Sequence, residues 1–240
     1  MSIYLSSDLH GDFTGFKKLL EKIAFDKNAD KIYILGDIID RGKESITLLH
    51  FVMKLCQSGC ASVIKGNHEL FLERYLNGFL SSKQWSAWGG ANTIKELSSL
   101  SKEQKYELLD FVSALPHFCE LKIGNRDYVL THAGLHSDFL VEKDDKIDVI
   151  ASLNKTLDYD EFEFLISTDI HYMNKKNLKK LDKYLFVGHT PTFMLDINRQ
   201  NCIVKNEYYT DLDSGSGYRG GKVSALRLDD MKEFYIKIAF

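Results

Sequence analysis

Ile3-Tyr4-Leu5-Ser6-Ser7-Asp8-Leu9-His10-Gly11-Asp12 is the stretch that decides how this chain folds. A short apolar run stops at a polar, glycine-containing loop. From 13 to 25 the apolar residues Phe16, Leu19, Leu20 and Ile23 then recur at helical spacing. The pattern repeats. Residues 31–35 run into Gly36-Asp37-Ile38-Ile39-Asp40-Arg41-Gly42, and Ile46, Leu49, Phe51, Val52 and Leu55 follow at helical spacing. Residues 61–65 end at Gly66-Asn67-His68-Glu69, where a helix through Leu70, Phe71 and Tyr75 begins. Strand, polar loop and helix in threefold alternation predict an α/β fold built on βαβ units and a mainly parallel sheet.

Further along, 101–115 reads as a helix in which Ser101 as N-cap and Gln104 three residues later form a capping box. Residues 121–123 and 128–131 flank Gly124-Asn125 and predict a hairpin ending at His132-Ala133-Gly134. The charged, weakly periodic span 138–183 predicts a helical excursion, and 184–187 a strand delivering Gly188-His189-Thr190-Pro191. Segments 194–197, 208–212, 222–228 and 233–238 read as consecutive strands. No repeat or linker divides the chain, so 1–240 is expected to form one domain.

Hydrophobic content of 44% and charged content of 27% exclude a disordered chain. A formal net charge of -3 disfavours binding to a nucleic acid backbone. No apolar run suffices for a membrane span or a signal peptide, so a cytoplasmic location is expected. Cys56, Cys60, Cys119 and Cys202 form no second close pair, and read as reduced, mostly buried thiols.

In open α/β sheets functional groups sit in loops at the carboxyl ends of strands. Five such junctions here end in metal-ligand or acid–base residues: Asp8 and His10; Asp37, Asp40 and Arg41; Asn67 and His68; His132; and His189. Oxygen ligands mixed with imidazoles suit a divalent ion such as manganese, iron or zinc. Taken singly, each has an ordinary alternative. An aspartate at a strand end can N-cap the next helix, and a lone histidine is more often simply hydrogen-bonded. Five in order are much harder to explain that way.

Asp8-Leu-His-Gly, Gly36-Asp-Ile-Ile-Asp-Arg-Gly, Gly66-Asn-His-Glu, His132-Ala-Gly and Gly188-His-Thr resemble the successive signatures of the phosphoprotein phosphatase family of calcineurin-like metallophosphoesterases. The resemblance runs from residue 8 to about residue 229 and takes in Asp211-Leu-Asp-Ser-Gly. It implies two packed mixed β-sheets flanked by helices, with the helical excursion after His132-Ala-Gly. It implies two divalent ions, manganese first with iron or zinc as alternatives, held by Asp8, His10, Asp37, Asn67, His132 and His189, with Asp37 bridging. His68 would be the general acid, Asp40 would orient it, and Arg41, Asn67 and Arg219 would contact substrate. Chemistry would be direct attack by a metal-bound hydroxide, without a phosphoenzyme.

The sequence departs from the family at one point. Many members carry a second phosphate-gripping arginine beside a tryptophan in the excursion. The local counterpart, Phe164-Leu165-Ile166-Ser167-Thr168-Asp169, has Ile166 and Thr168 at those places, and no arginine lies between Arg126 and Arg199. Arg219, in the glycine-rich loop 214–221, is the candidate replacement. His136 is a candidate to support the ligands, while Trp85 and Trp88 read as packing or groove aromatics. The leading function is a serine/threonine protein phosphatase acting on a phosphorylated protein. The alternatives are a dinucleoside polyphosphate (diadenosine tetraphosphate) hydrolase, acting on a small phosphoester, and a non-catalytic metal-binding scaffold.

Overall fold

The computed structural model describes residues 1–195 and 201–238. In chain order the first elements are β1 (Ile3–Ser6), α1 (Phe13–Lys22), β2 (Lys31–Ile34), α2 (Ser45–Gln57), β3 (Ala61–Val63) and α3 (Asn67–Leu76). Then come α4 (Ser82–Ala87), α5 (Ala91–Leu97), α6 (Lys102–Ser113), β4 (Phe118–Ile123) and β5 (Arg126–Thr131). The excursion holds β6 (Glu142–Lys143), β7 (Lys146–Ile147), α7 (Val149–Tyr159), α8 (Glu161–Ile166) and α9 (Lys175–Leu178). The chain ends with β8 (Tyr184–Val187), α10 (Thr192–Leu195), β9 (Val204–Lys205), β10 (Tyr209–Asp211), β11 (Lys222–Arg227) and β12 (Lys232–Lys237).

The three opening strands are parallel neighbours, as the alternation predicts, but the sheet they join is mixed. Its order is β12-β11-β1-β2-β3, with β11 antiparallel to both β1 and β12. A second mixed sheet runs β4-β5-β8-β10-β9. Leu5 and Leu226 of the first sheet and Leu130 and Phe186 of the second lie in one buried cluster, the filling of the sandwich. Strands covered on both faces must be apolar throughout, which is why β1 and β2 read as runs and not as alternations. Phe16, Leu19, Leu48 and Val52 of α1 and α2 pack on the outer face of the first sheet. Leu153, Phe164 and Leu165 of the excursion cover the second.

The capping box forms, with Ser101 N donating to Gln104 Oε1 at 2.9 Å and Gln104 N donating to Ser101 Oγ at 3.3 Å. The hairpin turns at Gly124, φ 58°, although its strands start earlier than the sequence suggests. Cys56 lies on α2 and Cys60 is packed in the core, neither in a disulfide. The strand expected at 194–197 is not found: Met194 and Leu195 belong to the helical turn α10, after Pro191, and 196–197 lie outside the described residues. Among the described residues no helix is long and apolar enough to cross a membrane.

Candidate active site and metal centre

The carboxyl ends of β1, β2 and β3 meet those of β5 and β8, and the loops there are strained. Eleven non-glycine residues among those described have positive φ, and six are the candidates Asp8, His10, Asp37, Asp40, Arg41 and His189. Such conformations cost about 1–3 kcal/mol each and persist only where surrounding structure fixes them. Here the loops bond one another: Asp8 N donates to Gly36 O, His10 N to Asp37 O at 2.9 Å, and Gly11 N to Ile38 O at 2.8 Å. Glu69, wholly buried on α3, accepts from Asp37 N, Ile38 N and Gly66 N at 2.8–3.0 Å. Gly66 is required because a Cβ there would collide with Asp37 Oδ1.

The five other candidate ligands converge around Asp37. Its Oδ2 lies 3.7 Å from His10 Nε2 and its Oδ1 3.4 Å from His132 Nε2, so each oxygen faces a different imidazole. Asn67 Oδ1 stands 3.1 Å from His132 Nε2 and 2.9 Å from His189 Nδ1. Asp8 Oδ2 accepts from Ser7 Oγ and His189 N, while its buried Oδ1, 3.8 Å from His10 Nε2, has no hydrogen-bond partner. Backbone carbonyls set the tautomers, because a carbonyl only accepts. His10 Nδ1 donates to Ile39 O and His132 Nδ1 to Leu35 O at 2.6 Å, which points both Nε2 atoms inward.

Electrostatics favour a cation. Burial pushes the Asp8 carboxyl up to about 6, against the pull of His132. Burial also raises Asp37, but His132, His68 and His10 outweigh it and hold the carboxyl well below the ordinary range. His132 in turn is lifted to about 10, burial being overcome by Asp37 and Asp8. His10, buried and beside Arg41 and His68, stays far below its ordinary value, and burial and His132 bring His189 to about 3. Buried carboxylates require paired charge or a metal; His10 and His189 are held in the neutral, ligating form, and His132 would give up its proton to an ion. The orphaned Asp8 Oδ1 and the divided Asp37 oxygens therefore fit divalent ions.

His10, Asp37 and His68 offer atoms within 4.8 Å of one another, as do Asp37, His132 and His189. His68 Nδ1 donates to Asp40 Oδ2 at 2.6 Å. Burial would lower the His68 pKa, but Asp37 and the Asp40 hydrogen bond raise it above the ordinary value, which suits an acid better than a ligand. Asp40 is itself clamped, in a way the sequence did not suggest. Trp85 Nε1 donates to Oδ2 at 2.6 Å and Thr93 Oγ1 to Oδ1 at 2.5 Å, while Asp40 N donates to Ser45 Oγ. Trp85 is thus both packing and polar partner. The only sequence signal was a tryptophan and a threonine around Gly89-Gly90. Hydrogen bonds to a charged group contribute about 1.5–3 kcal/mol, so Thr93→Val is expected to lower kcat roughly tenfold with metal content unchanged. An unaltered kcat would show that the carboxylate is held without Thr93.

Arg41 lies at the mouth, its guanidinium against His10 Nε2, 3.5 Å from His68 Nε2, and 4.7 Å from the Tyr218 ring. Tyr218, like Gly217, lines the cleft with Arg41. Arg219 is exposed and is not part of that wall. The positive-φ turns at Gly215, Gly217 and Gly220 bring its neighbour to the cleft in its place. Ile166 lines the cleft, Thr168 is half-buried at the next turn, and His136 faces Asp169 at 3.7 Å.

A profile of the calcineurin-like phosphoesterase family matches residues 1–228. The symmetrical bis(5'-nucleosyl)-tetraphosphatase of Nitrosospira multiformis is 31% identical over 143 residues, 60% of this chain and 47% of that protein. That of Actinobacillus succinogenes is 35% identical over 142 residues, 58% of this chain and 46% of that protein. The chain thus spans about half the length of these curated relatives. A solved protein provisionally described as a diadenosine tetraphosphatase superposes with a TM-score of 0.64 at 16% identity, covering 98% of this chain and 93% of its own. A serine/threonine phosphatase of Saccharomyces cerevisiae gives 0.60 at 17%, covering 100% and 80%. Both structural likenesses are of fold. With the profile spanning nearly the whole chain and its motif residues gathered at one strained centre, the chain belongs to the calcineurin-like metallophosphoesterase family, whose members are metal-dependent hydrolases.

Proposed function

We propose that the protein hydrolyses the central phosphoanhydride of a dinucleoside polyphosphate, releasing two nucleoside diphosphates from a tetraphosphate. The observation that carries this is a pair of clefts sharing Arg41 and Gly217 in their walls. One, about 550 Å³, contains Asn67, His68 and an aromatic wall; the other, about 360 Å³, runs past His10 to Lys18, Lys43 and Lys237. A phosphorus in the middle of a polyphosphate carries a substituent on each side, whereas a phosphoserine phosphorus carries one. Two clefts meeting at the phosphate grip suit the former. The tetraphosphatase relatives support the same reading. It places the dinucleoside alternative ahead of the serine/threonine phosphatase, which needs a single arm, while the tightly held His68–Asp40 pair argues against a scaffold.

In this reading Asp8, His10 and Asp37 would hold one ion, and Asp37, Asn67, His132 and His189 would hold the other. Paired divalent ions, manganese first among them, activate water and neutralise phosphoryl charge when bound. Arg41, braced on Tyr218, grips the phosphoryl oxygens. The water oxygen would bond to one central phosphorus as one of its protons passes to solvent, from which His68 is later reprotonated. The bridging oxygen leaves with the other nucleotide and takes a proton from His68 Nε2, while Asp40 keeps the Nδ1 proton in place.

The test is steady-state hydrolysis with added manganese, comparing diadenosine tetraphosphate with a phosphoserine peptide. The expected kcat/KM is at least about 100-fold higher for the dinucleotide, since each stacked base is worth about 1–3 kcal/mol, and ADP should be the sole nucleotide product. Preference for the peptide would return the protein phosphatase to first place.

A further inference from the structure

Residues 85–93 put their two tryptophans to different uses. Trp85 is wholly buried and bonds Asp40, whereas Trp88, one helical turn on, is 46% exposed in the cleft. Its ring stacks on Phe71, with centroids 4.7 Å apart and planes inclined 24°, and Phe162 lies 6.4 Å away at 31°. Phe71 in turn stands 5.3 Å from the His68 ring. An apolar side chain left half in water gains little from folding, and this one lies in a cleft whose other walls include Arg41, Asn67 and His68. The segment is also rigidly joined to the phosphate grip, because Arg41 N donates to Gly89 O at 2.9 Å. The aromatic surface begins one ring beyond His68, the group that would protonate the departing oxygen.

We propose that Trp88, supported by Phe71 and flanked by Phe162, is a stacking platform for the nucleobase of the departing nucleoside diphosphate. The proposal rests on the dinucleoside polyphosphate reading and adds which half of the substrate lies where. The departing half extends along the aromatic cleft, and the half that is attacked extends along the cleft of Lys18, Lys43 and Lys237. Stacking on a ring tolerates any base, since every base offers a π-face, so adenine and guanine dinucleotides should both be accepted. A phosphopeptide has no planar group at that position. It would gain only general apolar contact.

The chain has two tryptophans, and one is buried, so a base on Trp88 can be read by fluorescence. The holoenzyme with manganese should show saturable quenching on addition of ADP and little with pyrophosphate, which carries the phosphates without a base. Trp88→Phe should abolish the quench yet retain ADP affinity by calorimetry within about threefold, because a ring remains. Trp88→Ala should weaken ADP binding and raise KM for diadenosine tetraphosphate roughly tenfold, with kcat falling much less, the ordinary cost of one lost base stack. Pyrophosphate binding should weaken by about twofold or less in that variant, since its contacts are to charge. Equal quenching by ADP and pyrophosphate, or equal loss of both ligands in Trp88→Ala, would overturn the platform. If the wild type quenches with ADP but does not cleave diadenosine tetraphosphate, the platform stands and the substrate reading fails. Cleavage without base-dependent quenching leaves the substrate reading and rejects the platform.

Discussion

Asp37→Asn is expected to lose both metal ions together, with turnover falling by at least about 100-fold, since even indirect disturbance of a metal ligand costs 10- to 100-fold. The substitution keeps the shape of the side chain and removes its charge. That charge serves two sides at once: Oδ2 faces His10, and Oδ1 faces His132 while accepting from His68 N at 3.0 Å. Two like-charged ions held close together need an anion between them, and Asp37 is the carboxylate so placed. Asp8→Asn is the matching control, because Asp8 offers its unpartnered Oδ1 on the His10 side alone. Metal analysis of the purified proteins should give near two ions per chain for the wild type, near one for Asp8→Asn and near none for Asp37→Asn. Two retained ions and unchanged turnover in Asp37→Asn would sink the bridging assignment.

The candidate metal ligands are legible as a group because each follows a strand, and strand ends gather on one side of a parallel run whatever the rest of the sheet does. Asp8, Asp37 and Asn67 therefore had to be near one another once β1, β2 and β3 were recognised. What local alternation could not show is that β1 also pairs antiparallel with β11, Leu5 opposite Leu226, a contact made across almost the whole chain. The Asp40 clamp was hidden for the same reason. Trp85 and Thr93 lie 45 and 53 residues from Asp40 on α4 and α5, helices too short to produce a clear period. Of the loop that the sequence marks, Tyr218 and not Arg219 lines the cleft. Loop composition indicates proximity to the site, but Gly217 at φ 83° helps decide which side chain faces it, and that is Tyr218. The strained φ values at Asp8, His10 and Asp37 likewise have no local signature, because cross-loop hydrogen bonds impose them. A reader of the sequence could expect glycines to absorb those turns. Gly11 and Gly36 do take part, but the candidate ligands beside them adopt positive φ as well.

His68→Asn should lower kcat more than KM, because a general acid acts in the transition state and not in binding. General acid catalysis is typically worth on the order of 10² to 10⁴ in rate, and the size of the loss should follow the basicity of the departing oxygen. An alkyl phosphate must expel a strongly basic alkoxide and should lose most. p-Nitrophenyl phosphate expels an anion stable without a proton and should lose least. A dinucleoside tetraphosphate expels a phosphate oxygen of low basicity, so its loss should lie close to that of the aryl ester. Asp40→Asn should follow the same order with smaller losses. It leaves the imidazole in place but weakens the 2.6 Å hydrogen bond that holds the ring and favours its protonated form. The ordering also separates His68 as acid from His68 as ligand, since the ring lies within reach of both roles beside His10 and Asp37. A lost ligand would reduce metal content and slow every substrate alike. A lost acid would leave two ions in place and grade the substrates by leaving group, and equal losses for alkyl and aryl phosphates would remove His68 from the acid role.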